Sequence, residues 1–128
     1  MPARSSVPKA EVPGLYAAAD ACLVPLRDIP LFETFVPSKL FEVLAAGRPV
    51  IGAVRGEARD ILARSGGALL VEPERGDQLA SAVDCLRHDP VLARQLAERG
   101  RAFAQQHYDR DRLASRYLDV LREVVARP

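Results

Sequence analysis

The apolar positions of this chain recur at two periods, and their alternation predicts its elements. ACLVPL is an unbroken apolar run that fits a buried strand over residues 21–24, with Pro25 ending its ladder pairing. Val50 and Ile51 in RPVIGAV, and residues 68–71 in GGALLVEP, form two more short β-prone runs. Between them the spacing turns helical. Residues 11–19 predict a short helix with Leu15 and the alanines inward, after an irregular lead-in over residues 1–10. In SKLFEVLAAG, Leu40, Phe41, Leu44 and Ala45 recur at helical spacing, and Gly47 closes the helix in the left-handed conformation. RGEARDIL opens a short helix with Ile61 and Leu62 inward and Glu57 in its first turn, where a carboxylate suits the helix dipole.

Three helices complete the pattern. Asp77 caps the first, whose inward stripe is Leu79, Ala82, Val83 and Leu86. Pro90 opens the second, with Leu92, Leu96 and Phe103 inward. The third begins at Asp109 or Asp111 and runs over residues 111–125, with Leu113, Tyr117, Val120, Leu121 and Val124 inward. This order predicts an α/β, Rossmann-like, three-layer fold: a short parallel sheet of about three strands, followed by three C-terminal helices. The 128 residues are one domain's worth. Strands this apolar suit the interior of a sheet, so the chain reads as part of something larger.

Composition narrows the function classes. At 48% hydrophobic and 27% charged residues the profile is globular. Lys+Arg 18 against Asp+Glu 17 leaves a net charge of +1, which gives no electrostatic reason to expect nucleic acid as a partner. No stretch reaches the ~18–20 apolar residues of a bilayer span, and MPARSSVPKAEVPG lacks the apolar core of a secretory signal. Cys22 and Cys85 each sit in an apolar pattern and read as buried free thiols, which suits a cytoplasmic protein. With His88 and His107 they show no metal-ligand spacing, so neither a metal nor another cofactor is expected. His107 and Tyr108 read as a packed or capped helix junction, and Arg99 and Arg101 as helix surface.

A parallel α/β sheet binds ligands outside the carboxyl ends of its strands. Residues 27–39, 53–57 and 72–76 should lie there. The helix beginning near Pro37 and Ser38 directs its first N–H groups into that region, Ser38 adds a hydroxyl, and Lys39 adds a mobile positive charge. Together they suit a diphosphate. Ordinary capping plus a surface lysine is the plainer alternative. Glu42 also has two readings. As a half-buried carboxylate it would accept both hydroxyls of a ribose; otherwise it lies on the polar face of its helix. Phe32 and Phe35 read as pins holding the preceding loop to the core. The absence of Gly-x-Gly-x-x-Gly and of Gly-x-x-x-x-Gly-Lys-Ser/Thr disfavours dinucleotide and P-loop sites.

The stretch ADACLVPLRDIPLFETFVPSKLFEVLAAGRPVIGAVRGEARDIL, and within it PSKLFEVLAAGRPVI, resembles the donor-binding region of family-4 retaining glycosyltransferases of the GT-B fold. More narrowly, it is similar to the bacterial polysaccharide enzymes related to fucosamine transferases. The resemblance continues through GALLVEPERGDQLASAVDCLRHDPVLARQLAERGRAFAQQHYDRDRLASRYLDVL and covers residues 7–125. It implies that Glu42 is the second glutamate of the family's pair, which holds the donor ribose. It implies that Glu33, Thr34, Phe35, Pro37, Ser38, Lys39 and Leu40 face the sugar and diphosphate. It implies that Gly56 and Glu57 form the glycine-glutamate turn near the donor. The family's first glutamate lies eight residues before the second. That position is Thr34 here, while Glu33 lies nine before, consistent with one extra loop residue.

The resemblance implies transfer of a sugar from a nucleoside diphosphate to an acceptor hydroxyl, on an acceptor sugar or lipid-linked glycan, with no nucleic acid involved. The catalytic residue stays unassigned. Family members also have an acceptor-binding N-terminal domain, and a strand and helix that add an arginine and a lysine at the phosphates. Neither precedes residue 7 here. The expectation is therefore a partial C-terminal domain over residues 1–128, with its last helix crossing to a missing half that another chain could supply. The complete enzyme would be cytoplasmic, at the inner face of the membrane. The competing reading is a non-catalytic α/β nucleotide-binding or interaction module, a truncated remnant or the subunit of a split enzyme.

Overall fold

The structure, a computed structural model, describes residues 8–107 and 110–126. Its elements run α1 (Val12–Ala18), β1 (Cys22–Pro25), α2 (Lys39–Ala45), β2 (Val50–Ala53), α3 (Gly56–Ser65), β3 (Ala68–Val71), α4 (Gly76–His88), α5 (Pro90–His107) and α6 (Arg110–Ala126). Short 3₁₀ turns at Lys9–Glu11 and Pro30–Glu33 precede α1 and α2. The three strands pair in parallel in the order β1-β2-β3, with Val24 opposite Gly52 and Gly52 opposite Leu70.

Successive strand residues point to opposite faces, and both faces are covered. On one side Cys22, Val24 and Val50 meet Leu40, Val43 and Leu44 of α2 and Ala58, Ile61 and Leu62 of α3. On the other, Ile51, Ala53 and Val71 meet Ala82 and Leu86 of α4 and Leu96 of α5. Helix α5 serves both layers. It starts beside α4 and ends with Ala104 in the α2–α3 layer. At the crossing two glycine backbones touch: a Cβ on Gly67 would lie 2.5 Å from the Gly100 Cα. Asp89 caps α5, accepting the Leu92 N–H at 3.0 Å.

The three-layer α/β fold and all three strands follow the sequence pattern, β3 with the expected bounds. Gly47 adopts φ 70 after α2. Several positions differ. Pro25 continues β1 opposite Ala53: the Cys22 and Leu26 N–H groups donate to the Pro49 and Ala53 carbonyls, and the Pro25 nitrogen, one position out of phase with them, faces away from β2. Helix α1 turns Tyr16 inward and leaves Leu15 exposed. In α2 the third buried residue is Val43, while Ala45 is exposed. Val83 and Cys85 are exposed on α4, because its buried stripe is the narrower Ala82–Leu86 pair. Asp77 lies inside α4 and pairs with Arg75, which holds its carboxyl below the usual range, so it is not the cap. Lys9 and Ala10, placed in the irregular lead-in, belong to a 3₁₀ turn. Leu113, Tyr117, Val120, Leu121 and Val124 of α6 are all exposed, since no described element covers them. The expectations for residues 1–7, Tyr108 and Asp109 lie outside the described residues.

Candidate functional site

The loops after β1, β2 and β3 gather on one rim, at the carboxyl ends of the strands. Polar contacts stitch them together. Arg55 Nη2 lies 3.4 Å from Asp28 Oδ2 and 3.1 Å from Glu72 Oε2. The Asp28 N–H donates to Glu74 Oε2 at 3.1 Å. Arg59 Nη1 lies 3.8 Å from Glu72 Oε1. Each exposed pair is weak alone, but together they link all three loops. Sequence reasoning missed this network, whose partners are up to 46 positions apart.

The loop between β1 and α2 rests on the start of α3. Gly56 has φ 66, and a Cβ there would lie 1.9 Å from the Glu33 carbonyl oxygen. Only glycine fits, because both the backbone angle and the contact exclude a side chain. This brings Glu33 and Gly56, two of the expected site residues, into backbone contact. Glu57 follows in the first turn of α3, exposed. Thr34 Oγ1 donates to the Leu31 carbonyl at 3.5 Å, which turns its hydroxyl back into the loop. Phe35 is 47% exposed and meets Phe32 at 5.6 Å between ring centroids, so the rings pack on each other and Phe35 is not a core pin.

At the start of α2 the expected diphosphate residues divide. Ser38 and Lys39 are exposed on the rim, and the Ser38 hydroxyl makes no capping bond to the helix. Leu40 is fully buried, and its N–H donates to the Pro37 carbonyl at 3.1 Å, so that donor is already engaged. Pro37 is partly buried and supplies that acceptor.

Glu42 lies one turn into α2, three residues after Lys39, so the two share a helix face. Its side chain is exposed rather than half-buried, yet it is not simply solvated. The Tyr16 hydroxyl donates to Glu42 Oε2 at 3.3 Å. Burial first, then the Glu42 carboxylate, push the Tyr16 phenol above its ordinary pKa. The pair borders a cavity of about 450 Å³ between α1 and α2, lined by Lys9, Val12, Pro13, Tyr16, Glu42 and Ala45 among others. The sequence pattern passed over Tyr16, giving the inward position to Leu15, although Tyr16 lines this cavity with Glu42. Below the pair, burial pushes the Cys22 thiol up, opposed by the nearby Lys39 and Arg48 charges.

Among the described residues, no group of three His, Cys, Asp or Glu side chains gathers as a metal site. No described helix is long and apolar enough to cross a membrane. Arg99 and Arg101 lie on the α5 surface with their stems over Gly66 and Gly47. His107 lies against Phe103, four residues earlier in α5, at 4.7 Å between tilted rings.

Solved structures share this architecture. Sucrose-phosphate synthase of Thermosynechococcus elongatus superposes with a TM-score of 0.73 at 29% identity, over 88% of this chain and 27% of its own. HepE of Anabaena, solved with UDP, gives 0.74 at 21% identity, over 90% and 30%. The C-terminal domain of LpcC, a glycosyl transferase group 1 family protein of Francisella tularensis, gives 0.67 at 23%, over 86% and 53%. The fold is therefore GT-B-like, and the chain spans under a third of the first two proteins. No curated protein sequence matches it. A family model described as glycosyl transferase-like matches residues 1–119, nearly the whole chain, and the chain belongs to that family.

Proposed function

We propose that this chain carries the donor side of a family-4-like retaining glycosyltransferase, taking a nucleoside-diphosphate sugar. Two observations support this reading in a chain of the glycosyl transferase-like family: the loop that leads into α2 is seated on Gly56 through Glu33, and Glu42, one turn into α2, borders a cavity beside Tyr16. HepE was solved with UDP and with UDP-glucose, which supports a uridine donor as the first probe.

In this reading Glu42 accepts hydrogen bonds from the ribose hydroxyls. Lys39 offsets the diphosphate charge, and the Ser38 hydroxyl and the Ser38 and Lys39 N–H groups donate to it. Glu33, Thr34 and Phe35 line the sugar, and the Gly56–Glu57 turn closes the far side. The C1–O bond to the diphosphate breaks, and a bond from the acceptor hydroxyl oxygen to C1 forms on the same face. The diphosphate oxygen leaves with the bond's electron pair and takes up the proton that the acceptor hydroxyl gives up. The Lys39 cation and the N–H donors at the start of α2 favour this charge development over the ground state. The acceptor, a sugar or lipid-linked glycan, and the rest of the diphosphate clamp would come from outside these residues, in a cytoplasmic enzyme working at the inner membrane face.

The bare stripe of α6 favours a second reading: a module that binds nucleotide and a partner without turnover. Calorimetry with UDP and GDP separates these. Saturable binding that falls at least tenfold in Glu42→Ala supports the donor site. Turnover of UDP-glucose only when a second polypeptide is added supports the split enzyme. Binding untouched by Glu42→Ala contradicts the donor reading.

A further inference from the structure

The hydrogen bond between Tyr16 and Glu42 joins two elements that sequence places 26 residues apart. Its two partners differ in freedom. The Tyr16 ring packs on the buried cluster of Cys22, Val24, Leu40 and Val43, so its position is set by the core. Glu42 is an exposed carboxylate on a flexible stem, and such side chains occupy several rotamers. A bond from the fixed phenol to Oε2 selects one of them and leaves Oε1 as an acceptor. The cavity beside them has an apolar floor of Val12, Pro13 and Ala45, with Lys9 and Glu42 as polar members. That lining suits a flat ring with hydroxyls on one edge.

We propose that Tyr16 is a positioning residue, holding one oxygen of Glu42 so that the carboxylate meets the vicinal hydroxyls of a ribose seated in this cavity. The proposal rests on the reading of Glu42 as the ribose acceptor.

The test is calorimetric titration of the full chain with UDP and with 2′-deoxy-UDP. Tyr16→Phe keeps the ring and removes only the hydroxyl, and an amide spectrum checks that the fold is kept. Wild type should prefer UDP, and Tyr16→Phe should lose about three- to tenfold in UDP affinity while leaving 2′-deoxy-UDP nearly unchanged. In the Glu42→Ala background the same substitution should do nothing. A purely structural role would weaken both nucleotides equally, or persist without Glu42, and either result overturns the proposal. A neutral Tyr16→Phe beside a damaging Glu42→Ala overturns positioning alone. A neutral Glu42→Ala, or no UDP binding by wild type, overturns the ribose reading and this proposal with it.

Discussion

Helix α2 buries Leu40, Val43 and Leu44 completely, whereas α6 leaves Leu113, Tyr117, Val120, Leu121 and Val124 exposed. Both helices show apolar residues at helical spacing, and α6 is the longer by ten residues, 17 against 7. The difference lies in what faces each stripe. Helix α2 sits between β1 and α5, while no buried cluster includes a residue of α6. Periodicity therefore reports which face of a helix is apolar. It does not report whether the covering surface lies within the same chain.

The largest effect that sharpens this comparison comes from equal truncations on the two helices. Leu44→Ala should cost about 2–5 kcal/mol, because it opens a cavity in the packed layer. Leu121→Ala should change stability by about 0.5 kcal/mol or less. Urea unfolding of the two variants measures both. A large loss from Leu121→Ala would mean that α6 is covered in solution.

The next effect is at the rim. Gly56→Ala should cost about 1–3 kcal/mol by thermal unfolding, because its Cβ meets the Glu33 backbone and its φ is positive. It should also abolish UDP binding, since the Glu33–Lys39 loop must move. Gly76→Ala, whose Cβ meets nothing within 4 Å, should be close to neutral in both assays. Equal behaviour of the two variants would remove the claim that the loop is seated on α3.

The α2 side was largely legible in the sequence, and for a local reason. PSKLFEVLAAG carries its own start, stripe and closing glycine, so neighbours in sequence settle its form. Of the expected site residues, Glu33 and Gly56 meet directly, and Ser38, Lys39 and Glu42 share one helix start. The misses are tertiary. Choosing Tyr16 over Leu15 needed the position of α2 across the chain, not the pattern of α1. The Arg55, Asp28 and Glu72 network joins residues that only strand order brings together. Cys85 looked buried because its neighbours are apolar, but it points away from the Ala82 and Leu86 stripe.

That last contrast gives a smaller effect to measure. Iodoacetamide should label Cys85 in the folded chain and spare Cys22, which is buried and has a raised pKa, until denaturant is added. Mass mapping of the two sites checks this. Rapid labelling of Cys22 would mean that the α2 layer opens readily. The smallest effect concerns Tyr16. Its raised pKa means that the fold favours the neutral phenol. That contribution is fully present below the unfolded pKa and is lost as pH rises through the folded one. Absorbance titration should show a late Tyr16 component. Tyr16→Phe should remove it, and Glu42→Ala should bring it only part of the way down, because burial is the larger cause.

On the proposed reading the α2 rim binds a nucleoside diphosphate and the α6 stripe does not. An amide-resolved NMR titration of the chain with UDP tests it most directly, with Glu42→Ala as the control. Saturable shifts confined to residues 9–16, 33–42 and 56–57, lost in the variant, with α6 unmoved, are expected. Absent shifts, or saturable shifts centred on α6 and indifferent to Glu42→Ala, would contradict it.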